Sequence, residues 1–134
     1  MINVVTGAFG YIGKYIARRL LESGEQVRTI TTHINKPNPF GDVVKAFPYN
    51  FDKPEDLTVS LHGAGVLYNT YWIRFEYGAL TFQKAVENTI TLLGCARKAG
   101  VQKVVHISVT CASATSALPY YAGKGLQEVA VAES

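Results

Sequence analysis

Near the start of the chain, Gly7, Gly10 and Gly13 form a G-x-x-G-x-x-G spacing in "TGAFGYIG". The five residues before Gly7, "INVVT", are a short apolar run of the kind that forms a fully buried strand. The residues after Gly10 follow helical spacing. Ile12, Ile16 and Leu20 share one face, Lys14, Arg18 and Glu22 share another, and Gly24 is a natural stop. A strand that turns through glycines straight into a helix is the opening of a βαβ unit, which excludes most other architectures. The three glycines do different things. Gly7 permits a tight turn, Gly10 a close backbone approach to a ligand, and Gly13 close packing of the helix on the sheet.

The rest of the chain repeats the pattern. "QVRTITT" is a second strand, and "HINKPNPFGD" is a loop by its Pro, Asn and Gly content. A weaker third strand spans Val44 to Tyr49, with a short helix from Pro54 to about Leu61. "GVLYNT" is the fourth strand. The longest helix runs from about Ala79 to Ala99, with Val86, Ile90 and Leu93 expected on its buried face and Gly100 closing it. "KVVHISV" is the fifth strand, and a last helix extends from about Pro119 to Glu133. Strands and helices alternating at this spacing predict an α/β fold with a doubly wound parallel sheet of about five strands and helices on both faces.

Composition narrows the function classes. Hydrophobic residues are 48% and charged residues 17% of the chain, as in a folded globular domain rather than a disordered one. The thirteen Lys and Arg are scattered, where a nucleic-acid binder gathers them into a stripe. No apolar run approaches the roughly 18 residues of a membrane span, and "MINVVTGAFG" does not read as a signal peptide. Cys95 and Cys111 are isolated, so both are expected to be reduced thiols of a cytoplasmic protein. His33, His62 and His106 lack metal-ligand spacing, and no metal is expected.

The free N–H groups of the glycine loop and the positive end of the helix dipole suit a pyrophosphate, so the loop reads as a dinucleotide site. With this context the chain resembles the short-chain dehydrogenase/reductase superfamily in its extended and atypical branches. These include the NAD-dependent epimerase/dehydratase and NmrA-like proteins. "TGAFGYIG" is similar to the family's phosphate loop, and "YNFDKPEDL" to its adenine-contacting turn after the third strand. "AVENTITLLGCARKAGVQKVVHISV" resembles its fourth large helix and fifth strand. The resemblance covers all 134 residues. It implies a Rossmann-type sheet of order 3-2-1-4-5, with residues 1–134 as one NAD(P)-binding domain lacking the C-terminal part that supplies most of the substrate pocket.

The loop residues Gly7, Phe9, Gly10, Tyr11, Ile12 and Gly13 are the first cofactor candidates. An NAD site usually carries an acid at the end of the second strand. Here that place holds Thr31, Thr32 and His33, with Lys36 nearby, so NADP is expected over NAD: hydroxyls and a cation can hold a 2′-phosphate. Asn50 can bond an adenine amino group and Phe51 can lie against the ring, although both also suit an ordinary turn. Asn69 and Thr70, ending the fourth strand, complete the cofactor candidates. In "NTYWIRFEYG", Trp72 and Arg74 either line a pocket or cover the end of the long helix, and the covering role is expected.

On the last helix Tyr120 and Lys124 are neighbours at i and i+4. An ammonium so placed stabilises a tyrosinate, which suits the pair to proton transfer beside a nicotinamide ring. The resemblance puts the family's catalytic roles on Ser108, Tyr120 and Lys124. Tyr121, at i+3 from Lys124, is an alternative to Tyr120, and Thr110 to Ser108. Gly123 and Gly125 each weaken this helix by about 1 kcal/mol relative to Ala.

Three functions remain open: an oxidoreductase or epimerase acting on an unknown small molecule, a non-catalytic redox-sensing module, and an inactive fragment. With no element after the last helix, the fifth strand is expected at a sheet edge, and its apolar residues point to a homo-oligomer joined there.

Overall fold

The structure is a computed structural model and describes residues 1–134. Five parallel strands form one sheet in the order β3-β2-β1-β4-β5. They are β1 (Ile2–Thr6), β2 (Gln26–Ile30), β3 (Val44–Phe47), β4 (Ala64–Asn69) and β5 (Lys103–His106). Helices α1 (Tyr11–Glu22), α2 (Pro54–Leu61) and α3 (Phe82–Lys98) make the crossovers after β1, β3 and β4, and α4 (Pro119–Glu133) follows β5. The expected Rossmann-type order is therefore present, and every strand points its carboxyl end toward the same edge.

Consecutive residues of a strand face opposite sides of the sheet, and β1 shows this directly. Val4 joins one buried cluster with Ile30, Leu57, Leu61, Leu67 and Leu92, beneath α2 and α3. Val5 joins the other with Ala17, Val27 and Val44, beneath α1. The β2–β3 connection has only a 3-10 turn, Gly41–Val43, and Phe40 packs into the α1 layer where a helix would otherwise lie. A chain that reverses its winding direction at β1 places its crossovers on alternate faces, so helices cover both.

Two expected helix faces are corrected. In α1 the fully buried positions are Gly13 and Ala17; Ile16 and Leu20 are half-buried, and Ile12 is exposed. In α3, Val86 and Leu93 are buried, but Ile90 is 55% exposed. The small residues Ala85, Thr89 and Ala96 take the closest approach to the sheet. At 3.6 residues per turn Ile90 then lies about 120° from the centre of the buried arc. The strands β2 and β5 also stop short of Thr31 and Ile107, leaving those residues in the loops of the carboxyl edge. No helix is long and apolar enough to cross a membrane.

Candidate functional site

A cavity of about 720 Å³ opens at the carboxyl edge of β1, β2 and β4. Its floor is the glycine loop. Gly7 adopts φ +67°, and its N–H donates to Ile30 O at 2.9 Å, while Ala8 N–H donates to Thr29 Oγ1 at 3.0 Å. A Cβ on Gly13 would overlap the Gly7 carbonyl, so only glycine lets α1 start this close to the loop. Helix α1 has no side-chain cap and no acid in its first turn. The N–H groups of Tyr11, Ile12 and Gly13 have no acceptor in the chain, whereas Lys14 N–H already reaches Gly10 O at 2.9 Å. A row of open donors at a positive dipole end is an anion cradle.

Beside β2, Thr31 is buried and its hydroxyl accepts the N–H of His33 at 3.1 Å. Thr32 and His33 are exposed and line the cavity with Lys36, whose Nζ donates to Phe9 O at 3.4 Å. A side recess bounded by Thr32, His33, Ile34, Asn35 and Lys36 adjoins them. Beyond β3, Phe51 lines the cavity and stacks on Tyr49 with ring centroids 4.8 Å apart. Asn50 sits at φ +49° and its carbonyl accepts Lys53 N–H, so it forms the turn and does not line the cavity. Burial raises the Tyr49 and Tyr71 hydroxyls above the usual phenol range, and Tyr71 Oη accepts from Asn88 Nδ2.

Asn69, fully buried, lies beneath the cavity as a hub between strand ends. Its Oδ1 accepts from Thr6 Oγ1 (3.2 Å) and Tyr71 N–H (3.1 Å), and its Nδ2 donates to His106 Nδ1 (3.2 Å). That bond makes Nε2 the protonated nitrogen of a neutral His106. Burial first, and the Lys124 charge second, lower its pKa to about 4. Thr70 does line the cavity, with its N–H on Thr6 Oγ1 at 2.7 Å.

Of the three catalytic candidates, only Tyr120 faces the cavity. Its ring meets Trp72 and Phe82 edge-on, with centroids 6.1 and 5.7 Å away. Lys124 is 3% exposed; its Nζ donates to Gln127 Oε1 at 2.7 Å and Ile107 O at 3.1 Å, and lies 5.2 Å from the Trp72 ring centroid. Desolvation lowers its pKa to about 8, against a smaller opposing pull from Glu128. Ser108 donates to Glu128 Oε1. Tyr121 does not line the cavity; its carbonyl accepts Ser113 N–H. Trp72 and Arg74 both line the cavity, so the expected covering role is only part of what Trp72 does.

Gln127 belongs to no motif in the sequence. It is fully buried, with Nε2 donating to Tyr71 O (2.7 Å) and Thr89 Oγ1 (3.1 Å). Its spacing of i+3 from Lys124 was the only available signal.

The chain belongs to the NAD dependent epimerase/dehydratase family, whose profile matches residues 3–120. A Synechocystis sp. protein carrying a provisional dihydroflavonol 4-reductase name is 27% identical over 111 residues, 81% of this chain and 32% of the relative. Among solved structures, triphenylmethane reductase of Citrobacter sp. superposes with a TM-score of 0.80 at 21% identity, over 99% of this chain and 45% of that one. A short-chain dehydrogenase/reductase superfamily protein of Agrobacterium tumefaciens, solved with bound NAD, gives 0.77 at 20% identity, over 98% and 44%. The chain thus spans about a third of the length of the curated relatives it matches.

Proposed function

We propose that residues 1–134 form a nicotinamide-dinucleotide-binding domain of an oxidoreductase or epimerase. The observation that carries this reading is the row of unpaired N–H groups at the uncapped start of α1, opening onto the glycine loop. The chemistry of the lining agrees. Twenty residues bound the cavity, with Lys36 beside the glycine loop and no Asp or Glu among them, so the loop side of the site suits an anion. Gly7, Phe9, Gly10, Tyr11, Ile12 and Gly13 would hold the pyrophosphate. Phe51 would lie against the adenine, and Thr70 would stand near the nicotinamide ribose. Asn50 and Asn69 would act one layer back, by shaping the turn and the floor.

NADP is the favoured form. No carboxylate lines the cavity to accept ribose hydroxyls, and Thr32, His33 and Lys36 rim a recess beside β2 that suits a 2′-phosphate. Thr31, with its hydroxyl committed to His33 N–H, supports that turn from below. Calorimetric titration with NADPH and NADH tests both claims. The expected result is saturable binding with at least a tenfold preference for NADPH, about 1.4 kcal/mol. A tenfold preference for NADH would reverse the assignment.

When bound, the cofactor supplies or accepts the hydride. Tyr120 is the proposed acid/base, because its phenol alone among the catalytic candidates reaches the cavity. Lys124 carries its charge beneath the Trp72 wall and anchors the end of β5 to α4. Ser108, held by Glu128, would orient a substrate carbonyl only after leaving that partner. Any reduction by the chain is expected to vanish in Tyr120→Phe with cofactor affinity unchanged. Activity retained in that variant would remove Tyr120 from the role. The second reading, a non-catalytic redox-sensing module, draws on one observation: Lys124 hydrogen-bonds to Gln127 and Ile107 and not to Tyr120. Assembly through the β5 edge into a homo-oligomer belongs to the same proposal.

A further inference from the structure

The two permanent cations of the cavity stand on opposite sides of the glycine loop. Lys36 follows β2, Arg74 follows β4, and these strands flank β1 on either side. Strand neighbours lie about 4.8 Å apart, so the two segments leave the sheet about 10 Å apart. The dinucleotide reading, on which this inference rests, puts pyrophosphate over β1 and the adenosine half toward β2 and β3. The nicotinamide half then lies toward β4, beside Tyr120. That half carries no anion beyond the shared pyrophosphate, so Arg74 has no cofactor charge of its own to meet.

Nor does the protein neutralise Arg74. The ion pairs of the chain are Met1–Glu25, Arg19–Glu22 and Lys84–Glu87. Glu76, two residues away, accepts the Phe82 N–H at the head of α3 (3.2 Å). Arg74 is exposed at the cavity rim, and the cavity it shares is lined on the β4 side by Trp72, Ile73, Leu80 and Tyr120. An unpaired guanidinium at the rim of an acid-free cavity, which Tyr120 also lines, can meet an anion on a second ligand.

We infer that Arg74 is a specificity-determining residue for a carbonyl compound with an apolar body and one carboxylate. One guanidinium balances one negative charge and forks onto a carboxylate through two parallel N–H···O bonds. The apolar wall takes the body of the molecule, and Tyr120 stands where its carbonyl oxygen would come.

The test uses the full chain loaded with NADP⁺, which cannot reduce the probe. Phenylglyoxylate and its methyl ester, equal in apolar body and differing in charge, are titrated by calorimetry. The acid is expected to bind about tenfold more tightly than the ester. In Arg74→Leu that preference is expected to disappear, with NADP⁺ affinity unchanged. Equal affinities of acid and ester in the wild type, or no saturation by the acid at millimolar concentration, would overturn the inference. So would a tenfold loss of NADP⁺ affinity in Arg74→Leu, which would make Arg74 a cofactor residue. Failure of NADP⁺ itself to bind the wild-type chain would instead overturn the cofactor reading, and this inference with it.

Discussion

Gly10 and Gly13 look alike in the sequence and differ in consequence. A Cβ on Gly10 would meet only the Gly7 carbonyl oxygen, at 3.3 Å, and its φ of −86° suits any residue. Gly10→Val is therefore expected to fold while placing a branched side chain where the pyrophosphate must lie. Calorimetry should show NADPH affinity falling at least tenfold with the thermal midpoint little changed; unchanged affinity would remove the loop from the site. Gly13→Ala is the opposite case. Its Cβ overlaps backbone that cannot move without undoing the β1 turn, so loss of several kcal/mol of stability is expected, in the range of severe overpacking. Lys124 adds a pH signature. Its pKa of about 8 in the folded chain is below the ordinary 10.5. Between these values the unfolded chain holds the proton and the folded chain does not, so stability from this group rises with pH across that window. Urea midpoints measured through the window should rise in the wild type relative to Lys124→Met. Parallel curves would show that the buried amine keeps its ordinary proton affinity in the folded chain.

Helix α4 carries two glycines that propensity counts as defects. A Cβ on Gly123 would meet Trp72 Cη2 at 2.7 Å, and one on Gly125 would overlap the backbone of Ser113 and Ala114. Both are close-approach positions: one seats the tryptophan wall of the cavity, the other the loop between β5 and α4. Gly125→Ala would gain about 1 kcal/mol of intrinsic helix propensity. The clash is expected to outweigh it, so the variant should be less stable. Because Trp72 is the only tryptophan, its fluorescence reports whether α4 stays docked. A red shift is expected in Gly123→Ala, whose added methyl group pushes on the indole. An unshifted spectrum with wild-type stability would show that the indole can give way without leaving its seat.

The five-stranded sheet leaves β5 at one edge, with Val104 and Val105 half-buried. On the face where α1 covers β1 and β2, Tyr68 and Val105 also remain partly open. Lys103, exposed at the start of the strand, is its one charge, and no Pro or inward-pointing charge interrupts Val104 and Val105. The expected outcome is self-association through residues 102–134, seen as a dimer mass by light scattering. A charge placed on the edge, Val105→Lys, should shift the population toward monomer. A monomer at high concentration in the wild type would refute the proposed assembly.

The order of elements and the glycine loop were legible in the sequence, because both are local. A period of two or 3.6 residues, a glycine stop and a strand-turn-helix succession depend only on near neighbours along the chain. Tyr120 stands out in the sequence through its one-turn spacing to Lys124, yet in the fold the two are not hydrogen-bonded. Tertiary structure alone decided what those residues touch. It turned Lys124 toward Gln127 and Ile107, set Ser108 on Glu128, and put Asn69 under the cavity floor rather than in its wall. Helix rotation exposed Ile90, because Ala85, Thr89 and Ala96 fit closer to the sheet than a branched side chain can. Apart from the i+3 bond of Lys124 to Gln127, the hydrogen bonds behind these placements, Lys124 to Ile107, Ser108 to Glu128 and Asn69 to His106 and Thr6, join residues 17 to 63 positions apart. No periodicity in one stretch of chain encodes the partner that another stretch will present.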